Sequence, residues 1–419
     1  MVNFSKSKIS VIQCLLNKLG YYNYSINGFM DNYTINSIKF YQKINNLNIT
    51  GILDKCTMNN INEYIIGYTP YTIKNGDKLN DIAQKFKTEV WRILVANPTI
   101  NPFILESGTN INVPFNFGIV PTNSFYTYNI MKDNIVGLSK RYPFMKYNSI
   151  GKSVDNRELY KITVGNGSNH VIYNGAHHAN EWITSLLLMK WVENFLEVYS
   201  RRGSIRGYNI EKIWNSTTID IIPMLNPDGV ELVINGPDYV STKKEQLISL
   251  NDGNENFSNW KANINGVDLN RNYDADWIEY KKLEREFGVL GPGPSLYAGD
   301  KPESEPESSA LASYTRYNNS RLVLAYHTQG QVIFWNYKDL QPEISYSIGE
   351  ELANVSGYKL EHEVTSEASL AGYKDWFIKD LEKPGYTIEA GKGENPLPIE
   401  QFDTIYENNE ELLLLASII

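Results

Sequence analysis

Cysteine is scarce in this sequence, since its 419 residues contain only Cys14 and Cys56. Two cysteines cannot build the disulfide framework that is typical of small secreted domains. Both lie in apolar helical patterns, which favours buried free thiols, while their spacing alone also permits a disulfide between them. The chain is therefore not a disulfide scaffold, and its length suits two or three domains with one sizeable core.

The sequence also lacks an excess of basic residues and a long hydrophobic run. The formal net charge is -9, and the Lys and Arg residues are scattered among acids, which argues against a nucleic-acid-binding protein because phosphate contacts need clustered cations. No window approaches the roughly 18 apolar residues of a membrane span, so we expect no transmembrane helix. The N-terminal stretch MVNFSKSKISVIQCLLNKLG has no continuous apolar segment and no small-residue cleavage site, so we expect no classical secretory signal.

Residues 5–66 have a hydrophobic spacing near 3.6, which predicts helices. The apolar positions fall into two groups: Ile9, Ile12, Leu15, Leu16 and Leu19, and then Ile35, Ile38, Phe40 and Tyr41. Between the two groups, Asn27-Gly28 predicts a turn. Either Asp31 or Asn32 is a candidate cap for the helix that follows.

The turn pattern partly recurs further along the chain, at NITGILDKCT. There Gly51 and Asp54 occupy the positions that Gly28 and Asp31 occupy in the first copy. This half-repeat resembles the small three-helix peptidoglycan-binding domain of cell-wall hydrolases. The resemblance implies a peptidoglycan-binding-like helical domain over residues 1–67.

The next segment has the pattern of a βααβ unit. Alternation at Tyr71–Ile73 predicts a short strand, and Ile111–Val113 predicts a second strand. Two helical stripes lie between the strands: Leu79, Ile82, Ala83 and Phe86, and then Val90, Ile93 and Leu94. The segment, with NGDKLNDIAQKF and the ANPTINP loop, resembles a LysM domain over residues 68–115. LysM domains bind chains that contain N-acetylglucosamine, such as peptidoglycan or chitin.

After a linker-like stretch, FNFGIVPTNS, the rest of the chain alternates strand and helix patterns as α/β folds do. The predicted strands are HVIYNGA, TTIDIIPML, RLVLAYHT, QVIFWNY and GYTIEAG. The predicted helices cover residues 181–200, 341–356 and 398–417. One large domain over residues 116–419 fits these elements better than two.

Histidine is also rare, with five in the chain. His178 and Glu181 form a His-x-x-Glu motif where a predicted strand ends and a helix begins, so their side chains can converge on a metal ion. Catalytic zinc sites typically use three protein ligands and leave a fourth position for water. His327 is the best candidate for the third ligand, because it follows the apolar run RLVLAY and should lie at the end of a neighbouring core strand.

Four further motifs follow this one in a fixed order: NPDG (226–229), GVDLNRNY (266–273), YHTQG (326–330) and TIEAG (387–391). Together they make the region from roughly residue 120 to the C-terminus resemble the zinc carboxypeptidase family. The resemblance implies an α/β fold with a mixed eight-stranded sheet flanked by helices. It also implies that His178, Glu181 and His327 bind one zinc ion, with Glu389 as the general base. Zinc lowers the pKa of water toward about 7, and a nearby carboxylate can then accept the proton.

Asn270 and Arg271 match the family's pair that grips a substrate carboxylate. A guanidinium suits this role because its planar fork binds a carboxylate through two hydrogen bonds. The sequence departs from the family at Asn180, where arginine is usual. The arginine that polarises the scissile carbonyl has no evident counterpart, and Lys261 is the candidate substitute.

Other polar residues near these motifs have weaker assignments. The tyrosine that closes over a C-terminal residue in classical members is not evident in TSEASLAGYKDWF, where Tyr373 aligns poorly. His177 precedes a predicted ligand, and we interpret it as a structural residue or a neighbour of the ligands. No motif supports a role for His170 or His362.

The motifs GAHHANEW, WKANINGVDLNRN, HTQGQVIFW and AGYKDWF resemble most closely a bacterial subgroup, the γ-D-glutamyl-L-diamino acid endopeptidases of the endopeptidase I type. These enzymes hydrolyse the γ-D-glutamyl to diaminopimelate bond of peptidoglycan stem peptides. The modular layout agrees, since wall-binding domains raise the local concentration of a hydrolase on the polymer. Diaminopimelate carries an additional carboxylate, so Arg271 can bind a carboxylate without an ordinary free C-terminus.

Two alternatives remain open from the sequence. One is a classical metallocarboxypeptidase that releases C-terminal residues from L-peptides, and the other is a wall-binding protein with an inactive hydrolase domain. We expect peptidoglycan as the partner and a wall-associated function. Without a recognisable signal, the place of action is left between the cytoplasm, a sporulating mother cell or spore, and the wall after lysis.

Overall fold

The computed structural model describes residues 4–240, 243–362 and 370–419, and the chain forms two compact units, Met1–Lys146 and Tyr147–Ile419. Residues 1–3 of the N-terminal stretch considered above, and residues 365–369 of TSEASLAGYKDWF, lie outside the described residues. The predicted domain boundaries after residues 67 and 115 remain predictions.

Three helices begin the first unit: α1 (Lys6–Lys18), α2 (Asn32–Ile44) and α3 (Lys55–Ile66). Asp31 caps α2, because its carboxylate accepts a hydrogen bond of 2.8 Å from the backbone N–H of Thr34. Asp54 caps α3 in the same way through Thr57, at 2.7 Å. Side-chain acceptors at this position satisfy the free N–H groups of the first helical turn. Of the two candidate caps for α2, Asp31 is confirmed.

The half-repeat extends to a pair of fully buried glutamines that the sequence patterns did not single out. The Oε1 atom of Gln13 accepts a hydrogen bond of 2.8 Å from the backbone N–H of Gly28, and Gln42 accepts an equal bond from Gly51. Both glycines have a positive φ, 76° and 74°, which disfavours a side chain. In each half-repeat, the buried side-chain amide of a glutamine in the preceding helix therefore holds the turn by a hydrogen bond.

Phe40, one of the positions that predicted the second helix, is exposed, with its ring edge-on to Tyr21 at a centroid distance of 5.2 Å. One expectation about this unit is wrong, since Cys56 is exposed, in the first turn of α3, whereas Cys14 is buried as expected. Both thiols are free, so the alternative of a disulfide is excluded.

The βααβ prediction is confirmed. Its elements are β1 (Tyr68–Thr72), α4 (Leu79–Lys85), α5 (Val90–Ala96) and β2 (Asn110–Pro114). The two strands pair antiparallel, with Tyr68 opposite Pro114. The helices pack on them through a small core of Ile73, Leu79, Ile82, Ala83, Ile93, Ile111 and Val113. One further helix, α6 (Tyr128–Arg141), lies in the same unit.

A mixed sheet of eight strands forms the centre of the second unit, within the described residues. Its strands are β3 (Lys146–Lys152), β4 (Glu158–Val164), β5 (Asn169–Gly175), β8 (Thr217–Ile222), β9 (Leu322–His327), β10 (Val332–Phe334), β11 (Lys359–Glu361) and β12 (Gly385–Glu389). The order across the sheet is β11-β10-β12-β9-β5-β8-β4-β3. The four central strands are parallel, whereas β10 and β4 pair antiparallel to them. A separate hairpin is formed by β6 (Ser204–Ile205) and β7 (Tyr208–Asn209).

Helices pack on both faces of this sheet. The helices of the second unit are α7 (Ile183–Ser200), α8 (Ile210–Ser216), α9 (Pro227–Asn235), α10 (Lys244–Leu250), α11 (Trp277–Glu286), α12 (Pro306–Asn318), α13 (Ile344–Ser356), α14 (Tyr373–Leu381) and α15 (Phe402–Leu415). One face packs on α11, α12 and α14 through residues such as Val323, Leu311 and Trp376. On the other face, the hydroxyl of Tyr173 donates to the Leu413 carbonyl of α15 at 2.9 Å. The predicted α/β fold with a mixed eight-stranded sheet flanked by helices is confirmed.

Across the described ranges, we find no helix with both the length and the apolar character needed to cross a membrane.

Candidate active site

The candidate site lies where three adjacent parallel strands end. β9 lies between β5 and β12, so the carboxyl ends of all three meet at one edge of the sheet. His327 is the last residue of β9, and Glu389 is the last residue of β12 and its direct partner in the register. Neighbouring strands lie about 4.8 Å apart. The pairing therefore holds Glu389 close to His327.

β5 supplies the other two predicted ligands through the chain that follows it. His178 precedes a single 3-10 turn, Ala179–Glu181, which leads into α7. This turn directs the side chains of His178 and Glu181 toward the end of β9. The sequence patterns thus found all three residues, and the folding of the sheet brings them together.

The three side chains form a compact buried cluster whose candidate ligand atoms all lie within 4.8 Å of one another. The two oxygens of Glu181 lie 2.8 Å from Nδ1 of His178 and 2.9 Å from Nδ1 of His327. The two Nδ1 atoms are 3.3 Å apart. Two imidazole nitrogens this close, turned toward one carboxylate, need a shared proton or cation between them. The donor set of two imidazoles and one carboxylate fits zinc.

Electrostatics favours a cation at this cluster. Burial alone would lower the pKa of His178, but the carboxylates of Glu181 and Asp268 outweigh that effect and raise the pKa to about 9. Burial alone would raise the pKa of Glu181, but His178 and His327 outweigh that effect and hold the pKa well below its usual range. The negative charge that retains a proton on His178 would equally attract a divalent metal ion.

Asp268 contacts His178 on the side of the imidazole that faces away from Glu181. The sequence patterns did not assign a role to this residue. Its Oδ1 atom lies 3.1 Å from Nε2 of His178, and its Oδ2 atom accepts a 3.0 Å bond from the backbone N–H of Leu296. Metal-binding histidines commonly engage a carboxylate through their second nitrogen. Its role could have been suspected from the sequence, because Asp268 is the acidic residue of the GVDLNRNY motif and stands two residues before Asn270.

We expect Asp268→Asn to weaken zinc binding by about 10–100-fold, which is the usual cost of losing such a supporting carboxylate. The measurement is a competition titration of the purified protein against a chelator of known affinity. The exposed Asp274 provides the matched control, and Asp274→Asn should bind zinc like the wild type. Equal zinc affinity in all three proteins would contradict this role for Asp268.

The NPDG motif connects the segment 177–181, here called the ligand loop, to the segment that carries Lys261. The side-chain amide of Asn226 donates to the carbonyls of His177, at 3.1 Å, and Ala262, at 3.0 Å. Its Oδ1 atom accepts a bond of 3.0 Å from the N–H of Gly229. A Cβ atom at Gly229 would lie only 2.6 Å from that oxygen, so the position requires glycine. This explains the motif as a structural support of the site.

Lys261, Asn270 and Arg271 line one cavity of about 320 Å³ together with the cluster and Glu389. Lys261 is half-buried, and its carbonyl accepts a 2.9 Å bond from the N–H of Ala179, beside His178. Arg271 is buried, with its Nη1 atom donating to the Asn270 carbonyl at 2.8 Å. The predicted carboxylate-binding pair and the candidate for carbonyl polarisation therefore face the same space.

The remaining histidines have other surroundings. His177 is buried beside His327, and its Nε2 atom lies 3.0 Å from the Tyr273 hydroxyl. His170, at the start of β5, contacts Asp220 near the opposite end of the sheet. His362 is exposed, with its ring edge-on to Trp335. Among the described residues, only His178 and His327 of the five contribute to the cluster.

Tyr373 does not supply the closing hydroxyl of classical carboxypeptidases. The side chain is fully buried, and its hydroxyl lies 2.8 Å from Oγ1 of Thr315. Asn180, which replaces the usual arginine, is buried and lines a second cavity of about 520 Å³. This cavity shares Lys261, Thr328, Phe334 and Glu389 with the first. The two cavities therefore adjoin each other at these four residues.

A cluster of two histidines and a glutamate beside a further glutamate, at the ends of parallel strands, is the arrangement of a metal-dependent hydrolase. The zinc carboxypeptidase family model matches residues 131–412. A peptidoglycan binding domain matches residues 5–61, and a LysM domain matches residues 71–114. The chain belongs to the zinc carboxypeptidase family and is a zinc metallopeptidase. Its N-terminal domains indicate interaction with peptidoglycan and association with the cell wall.

Known proteins are similar to this chain over about two thirds of its length or slightly more. Gamma-D-glutamyl-L-diamino acid endopeptidase 1 of Lysinibacillus sphaericus is 45% identical over 282 residues, which cover 67% of this chain and 69% of the relative. Bovine thrombin-activatable fibrinolysis inhibitor has a similar fold, with a TM-score of 0.55 and 19% identity over 71% of this chain and 97% of that one. Carboxypeptidase A from Helicoverpa armigera has a TM-score of 0.52 and 19% identity over 70% and 73%.

Proposed function

We propose that this protein hydrolyses the bond between the γ-carboxyl of D-glutamate and diaminopimelate in peptidoglycan stem peptides. The observation that carries the proposal is the single cavity that joins the His-Glu-His cluster, Glu389, Lys261 and Arg271. The similarity to a relative named for γ-D-glutamyl-L-diamino acid cleavage supports the choice of bond. The two N-terminal domains support a polymeric wall substrate, with glycan strands held there and the stem peptide at the cluster.

His178, Glu181 and His327 would hold one zinc ion in this proposal. When bound, zinc supplies Lewis acidity, which lowers the pKa of water and polarises a carbonyl group. Glu389 would accept a proton from the attacking water as the water oxygen bonds to the γ-carbonyl carbon. The same carboxyl group would then deliver that proton to the amine nitrogen as the carbon–nitrogen bond breaks.

Lys261 would stabilise the negative charge that develops on the carbonyl oxygen. It borders both cavities, and its backbone carbonyl is bonded to the ligand loop at Ala179. A fixed cation directed at developing charge lowers the barrier more than it tightens ground-state binding. The position suits the task that an arginine performs in the classical family.

Asn270 and Arg271 would hold a carboxylate of the diaminopimelate on the amine side of the bond. The Asp268 carboxylate accepts a hydrogen bond of 3.1 Å from the backbone N–H of Asn270. The Oδ1 atom of Asn270 in turn accepts a hydrogen bond of 3.1 Å from the backbone N–H of Tyr373. The guanidinium of Arg271 lies against the Tyr280 ring, 5.4 Å from its centre. These contacts fix the pair in advance, which reduces the entropy lost on binding.

Loss of the Lys261 cation should lower kcat by about 10²–10³-fold, the range seen when one donor to a developing oxyanion is removed. We expect this for Lys261→Met and a partial recovery for Lys261→Arg, with KM changing much less than kcat. The exposed Lys282 offers a control, since Lys282→Met should leave both constants unchanged. A rise in KM alone would assign Lys261 to ground-state binding instead.

The choice of bond is tested with the synthetic tripeptide L-Ala-γ-D-Glu-meso-diaminopimelate. We expect release of free diaminopimelate and L-Ala-D-Glu, separated by chromatography and identified by mass. Hippuryl dipeptides, which report classical carboxypeptidases, should be cleaved far more slowly. Faster cleavage of the hippuryl compounds would overturn the proposed bond and favour ordinary carboxypeptidase activity.

A further inference from the structure

The two compact units of the chain carry net charges of opposite sign. Residues 1–146 contain 15 Lys and Arg residues against 8 Asp and Glu residues, which gives a net charge of +7. Residues 147–419 contain 24 against 40, which gives a net charge of -16. The net charge of -9 for the whole chain does not show this division. A charge asymmetry of this size indicates that the basic part of a chain has an anionic partner.

The positive charge of the first unit lies at its surface. Twelve of its 13 lysines are exposed, whereas both of its arginines, Arg92 and Arg141, are buried. All eight acidic residues of this unit belong to the described part of the chain, and three of them are exposed: Asp81, Glu89 and Glu106. The solvent therefore meets about four lysine side chains for each exposed carboxylate.

The exposed lysines are spread over all parts of the first unit. Lys39 and Lys43 lie one turn apart on α2, and Lys78 and Lys85 belong to the βααβ segment. Lys140 lies in the last turn of α6. A single small anion needs cations that converge on one point, whereas a polymer with repeated charges is bound by cations spread along a surface. The distribution of the lysines therefore fits a polymer.

The stability of the helices does not explain this surface charge. Lys6 and Lys55 are the first residues of α1 and α3, where the partial positive charge of a helix N-terminus disfavours a cation. Lys39 and Lys43 form a like-charge pair four residues apart, which is also unfavourable in a helix. The lysines at these four positions oppose the local electrostatic preferences of the fold, so their role lies outside it.

We propose that the exposed lysines of the first unit bind an anionic cell-wall polymer whose units are joined by phosphodiester bonds. The peptidoglycan-binding and LysM matches in this unit support a partner in the wall. A lysine ammonium binds phosphate as a point charge, whereas the fork of an arginine suits the carboxylates of a stem peptide. The exposed cations of this unit are lysines, which favours a flexible chain of phosphates.

The charge of the second unit restricts this binding to the first. A net charge of -16 disfavours contact between residues 147–419 and an anionic polymer. The first unit therefore supplies the attraction, and the catalytic cavity stays free for stem peptides. This contact adds to the interaction with peptidoglycan, and it does not depend on which bond the second unit hydrolyses.

The test measures co-sedimentation of the full chain with purified walls, either intact or after extraction of the phosphodiester-linked polymer. We expect the affinity for intact walls to fall on the order of 100-fold between about 50 and 200 mM salt, the loss for about five phosphate contacts on a flexible strand. Extracted walls should bind more weakly at low salt and depend much less on salt. Purified poly(glycerol phosphate) should displace the protein from intact walls at a lower concentration of charge than poly-L-glutamate.

Charge-removing variants locate the contact. The double variant Lys39→Gln/Lys43→Gln should bind intact walls more weakly at low salt and reduce the slope of log affinity against log salt by about one to two. A loss of stability would not change this slope. The matched control, Lys282→Gln/Lys301→Gln, removes two exposed lysines of the second unit and should keep the wild-type slope.

Three results would overturn the inference: equal binding to intact and extracted walls, an unchanged slope in Lys39→Gln/Lys43→Gln, or stronger competition by poly-L-glutamate. The last result would assign the lysines to carboxylates instead. Both double variants should cleave the soluble γ-D-glutamyl tripeptide at the wild-type rate, because the substitutions lie outside the catalytic cavity. If no variant and no wild-type protein cleaved that tripeptide, the proposed function would fail, and the binding measurements would still decide this inference.

Discussion

Glu389→Gln should lower kcat for the γ-D-glutamyl tripeptide by about 10²–10⁴-fold, the usual contribution of a positioned general base. Glutamine keeps the size and hydrogen-bonding capacity of the side chain, but it cannot accept the proton from water. The register places Glu389 beside His327 on the neighbouring strand, so the change falls next to the metal cluster. Steady-state kinetics with chromatographic detection of free diaminopimelate measures the effect.

Two measurements separate this role from a structural one. Zinc content and thermal stability should remain close to wild type in Glu389→Gln, because Glu389 is not one of the three proposed ligands. The exposed Glu400 supplies the matched control, and Glu400→Gln should keep full activity. If Glu389→Gln retained more than about one tenth of the wild-type kcat, a different group would have to act as the base.

Removal of a proposed ligand should have the other large effect. His327→Ala leaves one imidazole and one carboxylate, fewer than the three protein ligands of catalytic zinc sites. We expect the protein to lose its zinc and its activity to fall to background. The wild type should lose activity on chelation, regain it with zinc, and show a lower melting temperature without metal, since a ligand at 1,000 times its Kd stabilises by about 4 kcal/mol.

The exposed His362 is the control for this substitution. His362→Ala should bind one equivalent of zinc and hydrolyse the tripeptide at the wild-type rate. Metal content is measured by atomic absorption, and melting is followed by calorimetry with and without chelator. Activity that survives complete removal of the metal in the wild type would contradict the proposed centre.

The sequence was sufficient to single out the residues that meet in the cluster, because their types are rare and their positions follow from strand ends. His178, Glu181 and His327 are examples, because an apolar run followed by a histidine predicts both a buried strand and a ligand at its end. The parallel pairing of β5, β9 and β12 then brings these ends together. The LysM strands and helices were also predictable from the sequence. Their hydrophobic residues recur with a period of about two residues in the strands and about 3.6 residues in the helices.

Other features depend on contacts between distant segments, which periodicity does not report. Asp268 supports His178 across 90 positions of the chain. Lys374 and Asp375 would normally be predicted on a solvated helix face, yet the sheet and the cavity enclose them. The edge strand β3, KYNSIGK, is largely exposed and has no apolar alternation, so it had no strand signal to detect.

Digestion of purified peptidoglycan tests the central proposal most directly. The polymer is incubated with the full chain, with and without a chelator, and the products are identified by mass spectrometry. We predict new stem peptides that end in D-glutamate with a free γ-carboxyl, together with fragments that begin at diaminopimelate, and none of either when the metal is removed. Products that lack these ends, or that form equally with the chelator present, would contradict the account.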